Sequence, residues 1–128
     1  MTIDDARHRL LDDLFESIDT KNTERFLHFL ADDAKFRFGS GPQVQGQSEI
    51  REAVNEFFSR IAGCRHTLHN FLADEGTLVC EGQVTYTRED GSEITLPFVN
   101  VLEFAGDLIA HYKIYADSGP LYAEEQSG

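Results

Sequence analysis

The sequence predicts a single α+β domain in which a curled antiparallel sheet wraps, cone-like, around three N-terminal helices. Three observations carry that prediction. Apolar residues recur at helical spacing in separate stretches before residue 62. From Gly63 onward they alternate with polar residues, the period of a half-buried strand. Turn signals at Asp74-Glu75-Gly76, Glu89-Asp90-Gly91-Ser92 and Ala105-Gly106-Asp107 cut that second half into four strands.

The first helix starts at Thr2, whose hydroxyl can accept from an early backbone N–H, with Asp5 three positions on. Leu10, Leu11, Leu14, Phe15 and Ile18 then mark its core face. Asp19-Thr20-Lys21-Asn22 breaks the pattern, and a shorter helix from Asn22 or Thr23 carries Phe26, Leu27 and Leu30 inward. Ala34, Phe36 and Phe38 alternate with Lys35 and Arg37 as a strand, preceded by Asp32 and Asp33 in a solvated turn. After a loop at Gly39-Ser40-Gly41-Pro42, Ser48 is expected to cap a third helix with a stripe of Ile50, Val54, Phe57, Phe58 and Ile61. Strands are expected over 64–73, 77–88, 94–104 and 108–117. The single domain spans 1–128, with 118–128 a loosely held tail. Helices on one side of such a sheet leave a cone open at one end, a natural place for a ligand.

Composition limits the function classes. Hydrophobic residues make up 41% of the 128, enough for a core without a staple or structural metal. Ten Phe and no Trp suggest a cavity lined by rings that bring no hydrogen-bonding group. A net charge of −12 with no basic stripe argues against nucleic acid and anionic membranes as partners. No apolar run approaches the roughly 20 residues needed to span a bilayer. The N-terminus lacks a basic segment before an apolar run, and Cys64 and Cys80 form no CxxC pair, so a cytoplasmic location is expected.

Within this order, several segments resemble the SnoaL-like domains of the nuclear transport factor 2-like superfamily. They are Phe29-Leu30-Ala31-Asp32-Asp33-Ala34, Gly46 to Phe58, His66 to Asn70, the Asp90-Gly91 hairpin, and Ile114-Tyr115-Ala116-Asp117. The resemblance runs from about Leu10 to Tyr122 and implies a cystatin-like, SnoaL-like α+β barrel. It does not fix an activity, because the superfamily holds isomerases, dehydratases, epoxide hydrolases, polyketide cyclases and non-catalytic binders. At the positions ketosteroid isomerases use for chemistry, the resemblance places Leu14, Phe38 and Asn100, so the aspartate base is missing. The Asp-Arg-Asp set of limonene epoxide hydrolases falls on Gln83, Thr85 and Ile114. Scytalone-type dehydratases match at three positions: Asp19 after the first helix, His66 after the third, and Asn100 in a late strand.

Those three are the candidate catalytic residues. Leu96, Phe98, Asn100, Leu102 and Phe104 share one strand face, so Asn100 sits in an apolar row. It either donates to a ligand carbonyl or bonds a neighbouring strand or buried water. His66 either acts as a general base, its ordinary pKa of about 6.5 being near working pH, or bonds a backbone carbonyl. Asp19 is a helix-end residue with a catalytic alternative. Leu14 on the first helix, Phe38, and Phe58 on the third helix are expected to line the pocket. So are Leu68 and Asn70, placed on the His66 face by alternation, with His69 opposite. Tyr86, Phe98, Leu102, Tyr112 and Ile114 complete that expected lining. No metal is expected, since His66 and His69 point apart and no HExxH or Cys/His cluster is seen. Cys80 reads as core, His8, His28 and His111 as polar-face residues, and Tyr115 and Asp117 as structural or interfacial.

The expected partner is a small apolar molecule, with no cofactor, and a homodimer through the outer sheet face around Val99, Val101, His111 and Tyr115. As an enzyme, the chain would be a cofactor-independent isomerase or dehydratase working by enolisation of a carbonyl compound. The alternatives are a small-molecule binder without chemistry and a dimerising interaction domain.

Overall fold

The structure, a computed structural model, describes residues 2–116. The elements in chain order are α1 (Ile3–Asp19), α2 (Thr23–Leu27), β1 (Leu30–Phe38), β2 (Val44–Gln45), α3 (Gln47–Ser59), β3 (Gly63–Ala73), β4 (Thr77–Thr87), β5 (Glu93–Ala105) and β6 (Leu108–Tyr115). One six-stranded sheet in the order β2-β1-β6-β5-β4-β3 carries the helices on its concave side. The expected tail and Asp117 lie outside the described residues.

Local chemistry fixes the helix ends. Thr2 and Asp5 form a reciprocal capping box on α1. Past its last turn, Lys21 adopts the left-handed region at φ 56°. Its ammonium donates to the Phe58 and Ile61 carbonyls at 3.2 and 2.9 Å, tying the end of α1 to the end of α3. Asn22 caps α2 by accepting from the Arg25 N–H. For α3 the sequence pointed to Ser48, but the cap is Gly46 at φ 90° with no side-chain bond to the helix. The Glu49 carboxylate reaches back to accept from the Gln45 N–H, one residue ahead of that cap.

Two further expectations are corrected. Leu30 points inward as expected, but it opens β1 and does not belong to α2. Asp32 and Asp33 are exposed within that strand, not in a turn, where the β1–β6 pairing shifts register between Leu30 and Lys35. β1 runs parallel to β6, so an antiparallel meander of β3 to β6 is extended by one parallel strand. A two-residue strand, β2, follows the Gly39–Pro42 loop and pairs antiparallel with β1. It is too short for a sequence pattern.

A bulge sets the geometry of β3. Leu68 pairs with Gly82 and Asn70 with Glu81, which leaves His69 as an extra residue. Alternation restarts beyond it, so Phe71 and Ala73 face the core while Asn70 is exposed. Gly82 permits the kink, because a Cβ there would overlap the Thr67 carbonyl oxygen of the neighbouring strand. The core is continuous, from Leu11, Leu14 and Phe26 through Ile50 to Leu78, Leu102 and Ile109.

Gly82→Ala should therefore force two backbones apart. The expected cost is about 1–3 kcal/mol, read as a lower urea midpoint with an unchanged slope. An unchanged midpoint would show that the strands separate freely at this point.

Candidate active site

The curl of the sheet and the three helices leave a cavity of about 260 Å³. Its walls are aromatic: Phe26 from α2, Phe36 and Phe38 from β1, Phe57 and Phe58 from α3, and Phe98 from β5 all line it. That volume falls just below the usual range for drug-sized ligands, so it suits one small molecule. Polar groups on the wall are few and come from His66, Tyr86, Asn100 and Tyr112.

His66 is held on every side. Its Nδ1 lies 2.6 Å from Asp19 Oδ1, and its backbone N–H donates to Asp19 Oδ2 at 3.0 Å. The Phe15 ring stacks on the imidazole at 4.7 Å and 5°, and Phe98 meets it edge-on at 5.4 Å. The side chains of His66 and Asp19 are 10% and 24% exposed. An ionised carboxylate only accepts, so the proton in this contact belongs on Nδ1 and the lone pair falls on Nε2. The pair thus fixes both the tautomer and the ring plane of a histidine in the cavity wall.

Asn100 is 2% exposed, and its amide Nδ2 donates to the Tyr112 hydroxyl at 3.4 Å. The buried amide oxygen Oδ1 has no hydrogen-bond partner among the described residues. An unmet buried acceptor costs about 1–3 kcal/mol, and the residue that carries it lies in the cavity wall. Burial, first, and then the nearby Cys80 and Tyr86 push the Tyr112 phenol well above its ordinary pKa, so it stays protonated. Either orientation of the amide leaves the pair hydrogens to give. They are the Tyr112 O–H and the second Asn100 N–H when Nδ2 donates, and both Asn100 N–H when the hydroxyl does.

Of the residues singled out from sequence, His66, Asn100, Phe38, Phe58, Tyr86, Phe98, Tyr112 and Ile114 line the cavity. Asp19 stands behind His66. Leu14 and Leu102 are fully buried in the core and do not line the cavity. Leu68 packs against the core from β3, also outside the lining. Asn70 is turned outward by the bulge at His69. Sequence reasoning left out Phe26, Phe36 and Phe57, although each lay on an apolar face it had already drawn.

It also found no Cys/His cluster. Cys64 and His66 are two apart on β3, hence on one face, and Asp19 at the end of α1 completes a set whose ligand atoms all lie within 4.8 Å of one another. Cys64 Sγ is 3.5 Å from the Ile18 carbonyl oxygen and 3.7 Å from Asp19 Oδ1. A second, wider concavity of about 640 Å³ on the far side of β1 and β6 is bordered by Arg37, His111 and Lys113. It lacks the enclosed aromatic wall of the first.

A family model described as a SnoaL-like domain matches residues 11–112. Among solved structures, the chain is similar to an NTF2-like protein of unknown function from Burkholderia pseudomallei, with a TM-score of 0.80 and 19% identity. That match covers 89% of this chain and 92% of the other. It is similar to TerC, co-crystallised with polyporic acid, with a TM-score of 0.77 and 17% identity over 88% and 92% of the two chains. A third is a protein with a ketosteroid isomerase-like fold from Catenulispora acidiphila, in complex with trimethylamine. Its TM-score is 0.75 at 13% identity, over 82% of each chain. Identities this low show a shared fold. No curated protein matches the sequence.

The same burial sets the reactivity of the two thiols. Cys64 is pushed up to about 12 by burial and then by the Asp19 carboxylate, and Cys80 to about 12 by burial. Both are thiols at pH 8, so a thiol-disulfide reagent should leave the native protein unlabelled and react with both after unfolding. Rapid native labelling of either would contradict these surroundings.

Proposed function

We propose, from the premise that this chain belongs to the SnoaL-like domain family, that its cavity takes a small apolar carbonyl compound and enolises it. The observation that carries this reading is the fixed Asp19–His66 pair in the wall of an aromatic cavity that also holds a buried, half-satisfied amide. His66 Nε2 accepts the proton α to the carbonyl, and the electron pair moves onto the carbonyl oxygen. The Asn100–Tyr112 pair donates a spare hydrogen to that oxyanion, and Asp19 stabilises the imidazolium that forms. Returning the proton to another carbon completes an isomerisation. Delivering it to a β-hydroxyl that leaves as water completes a dehydration. Neither route calls for a cofactor.

Apolar walls strengthen these polar contacts, since a low local dielectric raises the worth of each. TerC, a structural neighbour, was co-crystallised with polyporic acid, which supports an organic small molecule as ligand. A second reading, binding without chemistry, draws on Phe38, which stands where the resemblance to ketosteroid isomerases would require an aspartate base. The homodimer through the outer sheet face is also part of the proposal. Leu72 and Val79 are 75% and 37% exposed, and Leu72, Val79 and Val101 follow one another in register across three strands. Tyr115, 54% exposed, pairs with Val99 on the same face.

With cyclic and aromatic ketones as probes, α-proton exchange into deuterated solvent should fall at least about 100-fold in His66→Ala. Equal rates in the two proteins, with the ketone bound but recovered unchanged, would replace catalysis by binding alone. Light scattering at high concentration should give twice the chain mass, and Val101→Glu should return the chain mass. A wild-type monomer removes the dimer.

A further inference from the structure

The groups around Cys64 pose a question that enolisation does not answer. The Asp19 carboxylate is already served by two donors, the His66 backbone N–H at 3.0 Å and the ring Nδ1 at 2.6 Å. A thiol 3.7 Å from that same carboxylate is a weak third donor that the carboxylate does not need. Cys64 and His66 project from one face of β3, and Asp19 is fixed by the end of α1, so three ligands of different types converge from rigid elements. Thiolate, imidazole and carboxylate form the donor set of a borderline-soft divalent cation, and three protein ligands leave one position open. The Ile18 carbonyl, 3.5 Å from Sγ, stands near enough to fill it.

We propose that Asp19, Cys64 and His66 form a three-ligand site for a borderline-soft divalent cation such as Zn²⁺, and that filling it switches His66 off as a base.

The spacing is close to what such an ion needs. Ligands about 2.0–2.3 Å from a tetrahedral metal stand somewhat over 3 Å from one another. Opening the Asp19–His66 contact by a fraction of an ångström, with the thiol drawn slightly in, makes room. The proton balance is definite. The ion takes the Nδ1 lone pair, so the imidazole proton moves from Nδ1 to Nε2 and the ring stays neutral. Cys64 gives up its thiol proton to solvent, one proton per ion bound. Two anionic ligands then offset the dication, whose charge draws off the thiol proton against the burial and the Asp19 carboxylate that hold it on Cys64 in the free protein. With its hydrogen now on Nε2, His66 presents a donor to the cavity and can no longer accept an α-proton. This last step rests on the enolisation reading; the metal site itself does not.

Co²⁺ tests the site by its own spectrum. Added to the chelator-treated full chain, it should give a thiolate-to-cobalt charge-transfer band with the strong visible bands of four-coordination, bleached by stoichiometric Zn²⁺. The charge-transfer band should vanish in Cys64→Ser, while Asp19→Asn should weaken binding at least about tenfold, a second variant that leaves the thiol in place. No charge-transfer band in the wild type, or a band that persists in Cys64→Ser, overturns the site. The switch is read separately: one equivalent of Zn²⁺ should stop α-proton exchange and a chelator should restore it, and exchange that continues with Zn²⁺ bound overturns the switch. Exchange absent even from the metal-free protein would sink the enolisation reading alone, because the cobalt spectrum judges the metal site without any substrate.

Discussion

The Asp19 carboxylate joins the end of α1 to β3, and the geometry of the cavity depends on that join. A negative charge at the C-terminal end of a helix meets the negative pole of the helix, and α1 has no basic residue in its last turn to offset it. Asp19 is stable there because two N–H groups of one residue, 47 positions away, turn toward it. That arrangement draws β3 onto α1, places the His66 ring between Phe15 and Phe98, and fixes which ring nitrogen holds a proton. Lys21, two residues later, donates to the Phe58 carbonyl in the last turn of α3 and to the Ile61 carbonyl just past it, and so brings the third helix to the same corner. Helices and sheet are therefore registered to each other at the corner where the His66 imidazole meets the cavity.

The cavity's second polar centre owes its character to isolation. Asn100 lies in a row of apolar side chains on β5, with Phe98 and Leu102 two residues to either side. The Tyr112 hydroxyl is its single side-chain partner among the described residues. A leucine at position 100 would pack without an orphaned oxygen. Keeping an amide there costs stability, and the cost makes sense where a ligand supplies the missing partner. The aromatic rings around it supply contact area without competing hydrogen bonds, so the polar groups of the wall are confined to a few side chains.

Much of this was legible in the sequence, because strands announce themselves by alternation and turns by glycine. Phe98, Asn100 and Leu102 fall on the inward face of β5 as their spacing required. The same rule failed at Asn70, since a bulge at His69 resets the period and nothing in the local sequence marks it apart from Gly82 on the next strand. Ser48 lost the cap of α3 to Gly46 because the helix already begins at Gln47, which puts Ser48 inside its first turn. The contact of Asp19 with His66 is a product of topology, and no local period reports it. Only the resemblance placed those residues in one site. Cys64 went unnoticed for the same reason, since a thiol two residues from a histidine becomes a cluster only when a helix end arrives beside it.

The kink in β3 has a consequence outside the cavity. β3 is one edge of the described sheet and β2 is the other. An edge strand offers unpaired backbone groups on which a foreign strand can grow, the first step toward aggregation. At one edge the extra residue at His69 breaks the straight run of donors and acceptors. At the other, two residues are too few to template anything. The open sheet is thereby kept from recruiting further chains along its edges.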